Sequence, residues 1–385
     1  MSQPGSRPFV DAVQAGGSGL PWLIGGVVAT PQQVHPEGLV TSDELREVAI
    51  WESTSPSGPW KVAPMKPVPG RDGPNETILY FAGTGQSPVA FGSRASPTEG
   101  YPRPSAWTSS PSGWTEDLES RELFGGPNIV GFGGMGEGPH GYFIAGTWSD
   151  SRGHAQASVW TSPTGTGWIR VNDPSFEGHR GETPIGEAIA DTRQGVLLAA
   201  TVEAPTRQDP SAQHIGLWYS PRGRQWARLG ARQLGMSHST AGAIISVGGG
   251  WLVAGTTTAG GRSRPAVWLV DSSLRVAKAT VLPGTLPIGG TLDPVTTITT
   301  AAAYGSRVVV AGVARGVPVI WTAHLGRRGV PTAWRREHAP SASPPSLQRV
   351  SVALGARATV VVLTGKTDSA LWYAWSKGSR VPEGG

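Results

Sequence analysis

The stretch WTSPTGTGW, Trp160–Trp168, sets two tryptophans eight residues apart around a Ser-Pro-Thr-Gly turn. Proline presets φ at the second turn position and glycine accepts the positive φ that closes it. The serine hydroxyl is placed to bond back to a backbone N–H. Read outward from here, the motif recurs. It appears as IWESTSPSGPW at 50–60, AWTSSPSGW at 106–114 and LWYSPRGRQW at 217–226. Weaker copies are VWLVDSSLRV at 267–276, IWTAHLGRRGVPTAW at 320–334 and LWYAWSKGSRV at 371–381. The leading tryptophans, Trp51, Trp107, Trp160, Trp218, Trp268, Trp321 and Trp372, are separated by 56, 53, 58, 50, 53 and 51 residues. A period this even marks a repeat architecture.

Two further runs accompany each copy. One is apolar and ends in small residues, as in PWLIGG at 21–26, GYFIAG at 141–146 and GWLVAG at 250–255. Before it comes a mixed or alternating run, such as PFVDAV at 8–13, TILYFA at 77–82 and IGEAIA at 185–190. Short β-rich runs bounded by Gly and Pro, without a helical period, predict strands throughout. The exception is one helical turn expected in SDELREVA at 42–49. The glycine cluster GFGGMGEG at 131–138 reads as a turn beside a strand rather than a phosphate loop. Seven units of four short strands predict an all-β, seven-bladed β-propeller with four-stranded antiparallel blades of about 53 residues. The chain then forms one propeller domain, 1–385. Its blades are expected near 8–62, 77–115, 129–171, 185–229, 241–278, 297–336 and 349–385.

Most of the sixteen tryptophans fall at the two ends of the Trp hairpin. The leading seven are expected to open the third strand, and Trp60, Trp114, Trp168, Trp226 and Trp334 to follow in the fourth. Repetition at equivalent places is what packing between wedge-shaped blades requires, so these rings are expected to be buried. Trp148 and Trp375 stand outside the pattern, and Trp148 is the better placed to touch a ligand.

The hairpin resembles the Asp-box of sialidase-like and related bacterial propellers, written Ser-Pro-Asp-Gly-x-x-Trp. Four blades carry the likeness, with Ser57, Ser112, Thr164 and Arg222 in place of the aspartate that braces the turn in that family. The resemblance implies a degenerate box that folds without an acidic ring, and an exported protein. Sialidase activity itself is not expected. There are seven units instead of six, no Phe-Arg-Ile-Pro segment near the start, and no tyrosine placed by sequence as a nucleophile.

Composition narrows the functional classes. The 55 glycines and 34 prolines among 385 residues, without a Gly-X-Y period, fit a turn-rich fold. With no cysteine there is neither disulfide, thiolate metal site nor thiol nucleophile. No apolar run approaches the ~20 residues that span a bilayer. The start, MSQPGSRPFV, lacks a signal-peptide core, so the protein is expected either to stay inside or to be numbered after a removed leader; the resemblance favours an extracytoplasmic or cell-surface site. Arginine outnumbers lysine 27 to 5, which with frequent Ala, Gly and Pro resembles an actinobacterial coding bias. The formal charge of +5 divides unevenly, with −9 over residues 1–210 and +14 from Ser211 onward. That leaves open an anionic partner for the second half.

In an up-and-down blade, the first-to-second and third-to-fourth turns share one face, and the remaining connections share the other. The long segments fall on the latter, so that face is the expected binding surface. Residues expected just before the inner strands, Arg7, Glu76, Asn128, Glu182, His238, Asp293 and Arg349, would then converge on the channel mouth. Arg7, Asn128, Trp148, His238 and Arg349 are the expected ligand contacts. If the protein is an enzyme, Glu76, Glu182 and Asp293 are its candidate acid/base carboxylates. The eight histidines are scattered singly, so neither metal nor cofactor is expected. The leading expectation is a non-catalytic binding or scaffold propeller for a protein or glycan partner, in a lectin-like role. The alternatives are a glycoside hydrolase or lyase, and a binder of nucleic acid or another polyanion.

Overall fold

The structure is a computed structural model and describes residues 7–16, 20–30, 45–68, 77–83, 87–95, 102–117, 121–179, 181–230, 238–259, 262–277, 279–284, 296–338, 344, 346–366 and 369–375. Seven antiparallel sheets follow one another along the chain, each ordered first strand to last from one edge to the other. Blade 3 is representative: Ile129–Gly138, Gly141–Ser149, Ala155–Ser162 and Ile169–Val171. The first strands of the other blades are Arg7–Gln14, Thr77–Ala82, Thr183–Thr192, Ser239–Val247, Thr296–Tyr304 and Leu347–Leu354. Each first strand packs on those of its two neighbours, and that of blade 7 packs on that of blade 1, so the sheets close into a ring with the first strands innermost. The fold is therefore an all-β seven-bladed propeller.

Blade 2 gains a short parallel edge strand, Met65–Lys66, beside Gly113–Glu116. Blade 7 shows three strands among the described residues, the last being Ser369–Trp375. The segments expected to complete it, the first residues of the chain or 376–385, lie outside the described residues.

Several local expectations are corrected. Residues 45–49 are not helical; they begin the third strand of blade 1, Leu45–Ser53, paired in register from Thr30↔Leu45 to Trp22↔Ser53. Ladder pairing overrides the modest helix propensity of that stretch. GFGGMGEG is not a turn but the body of blade 3's inner strand. Its glycines serve approach: a Cβ at Gly133 would lie 2.4 Å from the carbonyl oxygens of Gly186 and Glu187, and one at Gly136 would lie 2.5 Å from that of Ile189. The leading tryptophans sit near the end of the third strand, not its start, as Trp160 does in Ala155–Ser162.

Their packing role is as expected. Trp107, Trp160, Trp218, Trp268 and Trp321 are almost completely buried. Each packs against the preceding blade: Trp160 with Val89, Phe91 and Ala106, and Trp218 with Phe143 and Val159. The indole N–H groups are used as well. Trp160 Nε1 donates to the Leu123 carbonyl at 2.6 Å, Trp218 to Ser175 at 2.5 Å and Trp321 to Pro283 at 2.9 Å. All three acceptors lie in the connector leading into that tryptophan's own blade. Within the hairpin, Ser162 Oγ accepts the N–H groups of Thr164 and Gly165 at 3.2 and 2.9 Å. Gly165 has φ +88, and its carbonyl accepts from Trp168 Nε1 at 2.9 Å. In blades 3 and 4 a carboxylate from the preceding connector reaches the hairpin. Asp117 Oδ2 accepts from Gly167 N at 3.2 Å, and Asp173 Oδ2 from Trp226 N at 2.9 Å.

Candidate binding site in the axial channel

Every inner strand breaks register with a β-bulge. A bulge leaves one residue unpaired and re-aims the side chains around it. In blade 4 the bulged residue is Glu187, between Gly186 and Ala188. In blades 2 and 7 the residues that follow the bulge are Tyr80 and Arg349. Blades 2, 4 and 7 are not all neighbours, so groups that meet from them must meet across the axis.

Arg349 and Tyr80 touch, and the charge of Glu187 reaches Tyr80. The Arg349 guanidinium carbon lies 4.8 Å from the centre of the Tyr80 ring, within cation–π range. The Tyr80 hydroxyl donates to the Phe132 carbonyl of blade 3 at 3.0 Å. Burial raises the Tyr80 hydroxyl above its ordinary pKa, the Arg349 charge opposes that rise, and the Glu187 charge adds to it. Glu187 is itself pushed up to about 7 by burial, against a hydrogen bond from Thr201 that favours the ionised form. Its carboxyl therefore donates as readily as it accepts near neutral pH. All three residues keep part of their surface open. They are enclosed by the channel but not sealed in it.

Of the residues expected at the mouth whose side chains are described, Arg349 alone joins this group. Arg349 and Arg7 lie inside their inner strands instead of before them. Glu182 precedes its strand but turns outward. Arg228 Nη1, on the outer strand of the same blade, donates to it at 2.6 Å, and the His179 N–H at 3.0 Å. Burial works to raise the Glu182 pKa; the Arg228 bond and charge, the His179 N–H and the His214 charge together hold it below the ordinary carboxylate value. It stays ionised and clamped, 3.8 Å from His214 Nε2. His238 pairs with Asp209 of the neighbouring loop at 3.6 Å, and its carbonyl accepts from Thr258 N at 2.7 Å. The Asn128 carbonyl accepts from Ser149 N at 2.6 Å.

Trp148 lies within the second strand of blade 3, 8% exposed. It stacks edge-on to Trp160, with the Arg170 guanidinium 4.2 Å from its ring centre. Glu76 and Asp293 lie outside the described residues.

Sequence reasoning missed Glu187 and Tyr80. The only trace was a charged residue inside the apolar run IGEAIA and a tyrosine inside TILYFA, both in inner strands. Bulge positions decide which of those side chains reach the axis, and a bulge leaves no residue signature of its own here.

On the opposite face, the His140 N–H and Nδ1 bond both oxygens of Asp191, at 2.7 and 2.8 Å. Asp191 is buried, and burial raises its carboxyl despite those bonds. This pair ties the first-to-second turn of blade 3 to blade 4. Among the described residues no group of three or more His, Asp or Glu is arranged to hold a metal ion. Among the described residues no helix is long and apolar enough to cross a membrane.

No family model and no curated protein matches the chain. Among solved structures it is similar to the β-propeller domain of the Trilobed protease from Pyrococcus furiosus, which has an open velcro topology. That likeness has 10% identity and a TM-score of 0.49, over 96% of this chain and 93% of that one. It is also similar to the fucose-specific lectin from Aleuria aurantia, at 14% identity and TM-score 0.43 over 77% and 92%. A third is a thermostable family-43 glycoside hydrolase, at 13% identity and TM-score 0.37 over 67% and 97%. Likenesses this distant carry no argument about ligand or activity. The seven sheets of the chain itself define the fold.

Proposed function

We propose that this propeller is a binding protein that takes the end of a glycan into its axial channel from the long-loop face. The observation that carries the reading is the convergence of Arg349, Tyr80 and Glu187 from three separate blades. A guanidinium only donates, a backbone-anchored tyrosine offers its ring, and a carboxyl poised near neutrality both donates and accepts. Sugar hydroxyls need such a mixed set, with an apolar surface beside it. Blade sides are filled with packed tryptophan, which leaves the channel and its loops as the recognition surface. The Ser162-fastened hairpin supports kinship with Asp-box propellers, and with it an extracytoplasmic setting and a bacterial source.

Hydrolysis is the second reading, favoured by Glu187 alone. A carboxyl near 7 suits a general acid. Glu182, however, is held ionised by Arg228, and among the described residues no second carboxylate acts on Glu187. Most glycosidases need such a pair.

The test is a glycan array read with the wild type, Arg349→Ala, Tyr80→Phe and Glu187→Gln. Binding that falls at least tenfold in Arg349→Ala, with an unchanged melting curve, supports the proposal. An empty array together with a stoichiometric protein co-purified from the source cell overturns it in favour of a protein partner. Released sugar that requires Glu187 overturns it in favour of catalysis.

A further inference from the structure

The face opposite the long loops is built from the first-to-second and third-to-fourth turns, and its charge changes halfway round the ring. In blades 1 to 3 the Trp-hairpin tips are STSPSGP, SPSG and SPTGTG, without a charge of their own, and one exposed cation, Lys66 Nζ, donates to Ser112 on the tip of blade 2 at 2.7 Å. In blade 4 the same tip is SPRGRQ, and Arg222 and Arg224 are exposed there. Arg275 is exposed on the tip of blade 5 and Arg327 on that of blade 6. Arg193 is exposed on the first-to-second turn of blade 4.

These arginines lie along one continuous strip. Within blade 4, a Cβ on Gly195 would lie 2.5 Å from the Ser220 carbonyl, joining Arg193's turn to the hairpin of Arg222. A Cβ on Gly249 of blade 5 would lie 3.6 Å from Gln194, the neighbour of Arg193. A Cβ on Gly329, in Arg327's hairpin, would lie 2.5 Å from Gly248. The floor between the arginines carries Gly195, Gly248, Gly249 and Gly329 together with the uncharged side chains of Gln194 and Tyr219, whose phenol donates to the Gln194 carbonyl at 2.6 Å. Among the described residues none of the five guanidinium groups has a carboxylate partner. Of the acids nearby, Asp191 is buried beneath His140, and Asp271 is exposed on the blade 5 tip, with Oδ1 accepting the N–H groups of Ser273 and Arg275 in its own turn. The cationic surplus is therefore greatest at blades 4 and 6.

The geometry points to a second site on this face, one that takes a linear sulfated polysaccharide along blades 4 to 6. All five cations are arginine, whose planar fork pairs bidentately with tetrahedral oxyanions. Blades stacked about an axis diverge outward, so the hairpin arginines of neighbouring blades stand farther apart than the roughly 10 Å of stacked sheets. That is wide for a chain with a phosphate at every link, and suited to one that carries its sulfates sugar by sugar. Trp218, Trp226, Trp251, Trp268 and Trp321 are buried and Trp334 is partly buried in the core between blades 5 and 6, so among the described residues nucleobases find no fully exposed indole platform there. The site stands on a different face from the channel and does not depend on the channel's ligand.

The experiment compares two triple variants with the same charge change. R222S/R224S/R327S strips the strip; R207S/R264S/R315S removes three exposed arginines from the long-loop side. Each is titrated with size-defined heparin oligosaccharide, polyphosphate and single-stranded DNA of equal charge, over a range of salt. The wild type should bind heparin most tightly, with affinity falling steeply as salt rises. The strip variant should lose about tenfold or more, the control less than about threefold, and both should melt like the wild type. Equal losses in the two triples would show that net charge alone is responsible and end the proposal. Tighter binding of DNA or polyphosphate than of heparin would overturn the ligand class. Loss of heparin binding in Arg349→Ala would move the site to the channel.

Discussion

The seam between blades 2 and 3 and the seam between blades 7 and 1 do the same job with different chemistry. The first is aromatic. Trp160, Trp168, Phe91, Phe124 and Phe132 form a cluster of tilted and edge-on rings with centroids 4.8 to 6.5 Å apart. The second, among the described residues, has Trp22 from a second strand set among Ala353, Ala358 and Val360, with the half-buried Trp60 packed against the group. Hydroxyls supply much of the rest. Ser351 and Thr364 donate to the carbonyls of Asp11 and Val10, each at 2.7 Å, and Ser369 Oγ accepts from Val10 N at 3.0 Å. Blade 6 meets blade 7 through aliphatic side chains such as Val309, Ile320, Val350 and Val361. Aromatic filling thus runs through the middle of the chain and gives way to small residues where its ends meet. Hydroxyl-to-backbone bonds join other neighbours too, as Ser246 does to the Asp191 carbonyl and Thr299 to that of Val350. At the closing pair they stand beside smaller packed side chains, so directed bonds weigh more there against area removed from water.

The strongest way to break this contrast is Trp160→Ala. Truncating a fully buried ring that also donates a hydrogen bond should cost about 3–5 kcal/mol, read from denaturant midpoints. A cost below about 1 kcal/mol would remove the aromatic seam as the main support of blade 3. At the other seam, Ser351→Ala and Thr364→Ala should each cost only about 0.5–1.5 kcal/mol. They should also expose the inner strand of blade 1 to amide exchange before any other. Uniform exchange around the ring would contradict the distinction.

The smallest effect belongs to the channel. Because the folded pKa of Glu187 lies near 7 rather than at the ordinary 4.5, the native state holds a proton there that the unfolded chain releases. Stability from this group is therefore full below about 4.5 and is lost as pH rises toward 7. Glu187→Gln should flatten that decline and raise the melting temperature at pH 8 by about 2 °C. An unchanged slope between pH 5 and 8 would mean that the carboxyl is not enclosed.

The fold was legible because repetition amplified a weak signal. One Trp hairpin says little, but Trp51 through Trp372 at a steady period define the blade and its packing direction. Single-copy features were harder. Residues 45–49 have helical composition and are strand because Trp22–Thr30 pairs with them. The glycines of 131–138 look like a turn, and are strand because blade 4 approaches too closely for a Cβ. At the site, the long-loop face and Arg349 were within reach, whereas Glu187 and Tyr80 depended on bulges. Glu182 was placed at the mouth because its distance along the chain to Arg228 hides how near the outer strand folds back over it.

The indole hydrogen bonds also have a direction in time. Trp160, Trp218 and Trp321 each bond a carbonyl made 37 to 43 residues earlier, so every acceptor exists before its donor leaves the ribosome. Blades can then be added one by one onto a finished surface, with short loops to close at each step. The seam of blades 7 and 1 is the exception, since its bonds join residues 340 to 361 positions apart. Until blade 7 has been made, the inner strand of blade 1 waits without its partner. Its light, polar seam is suited to a contact that has to form last.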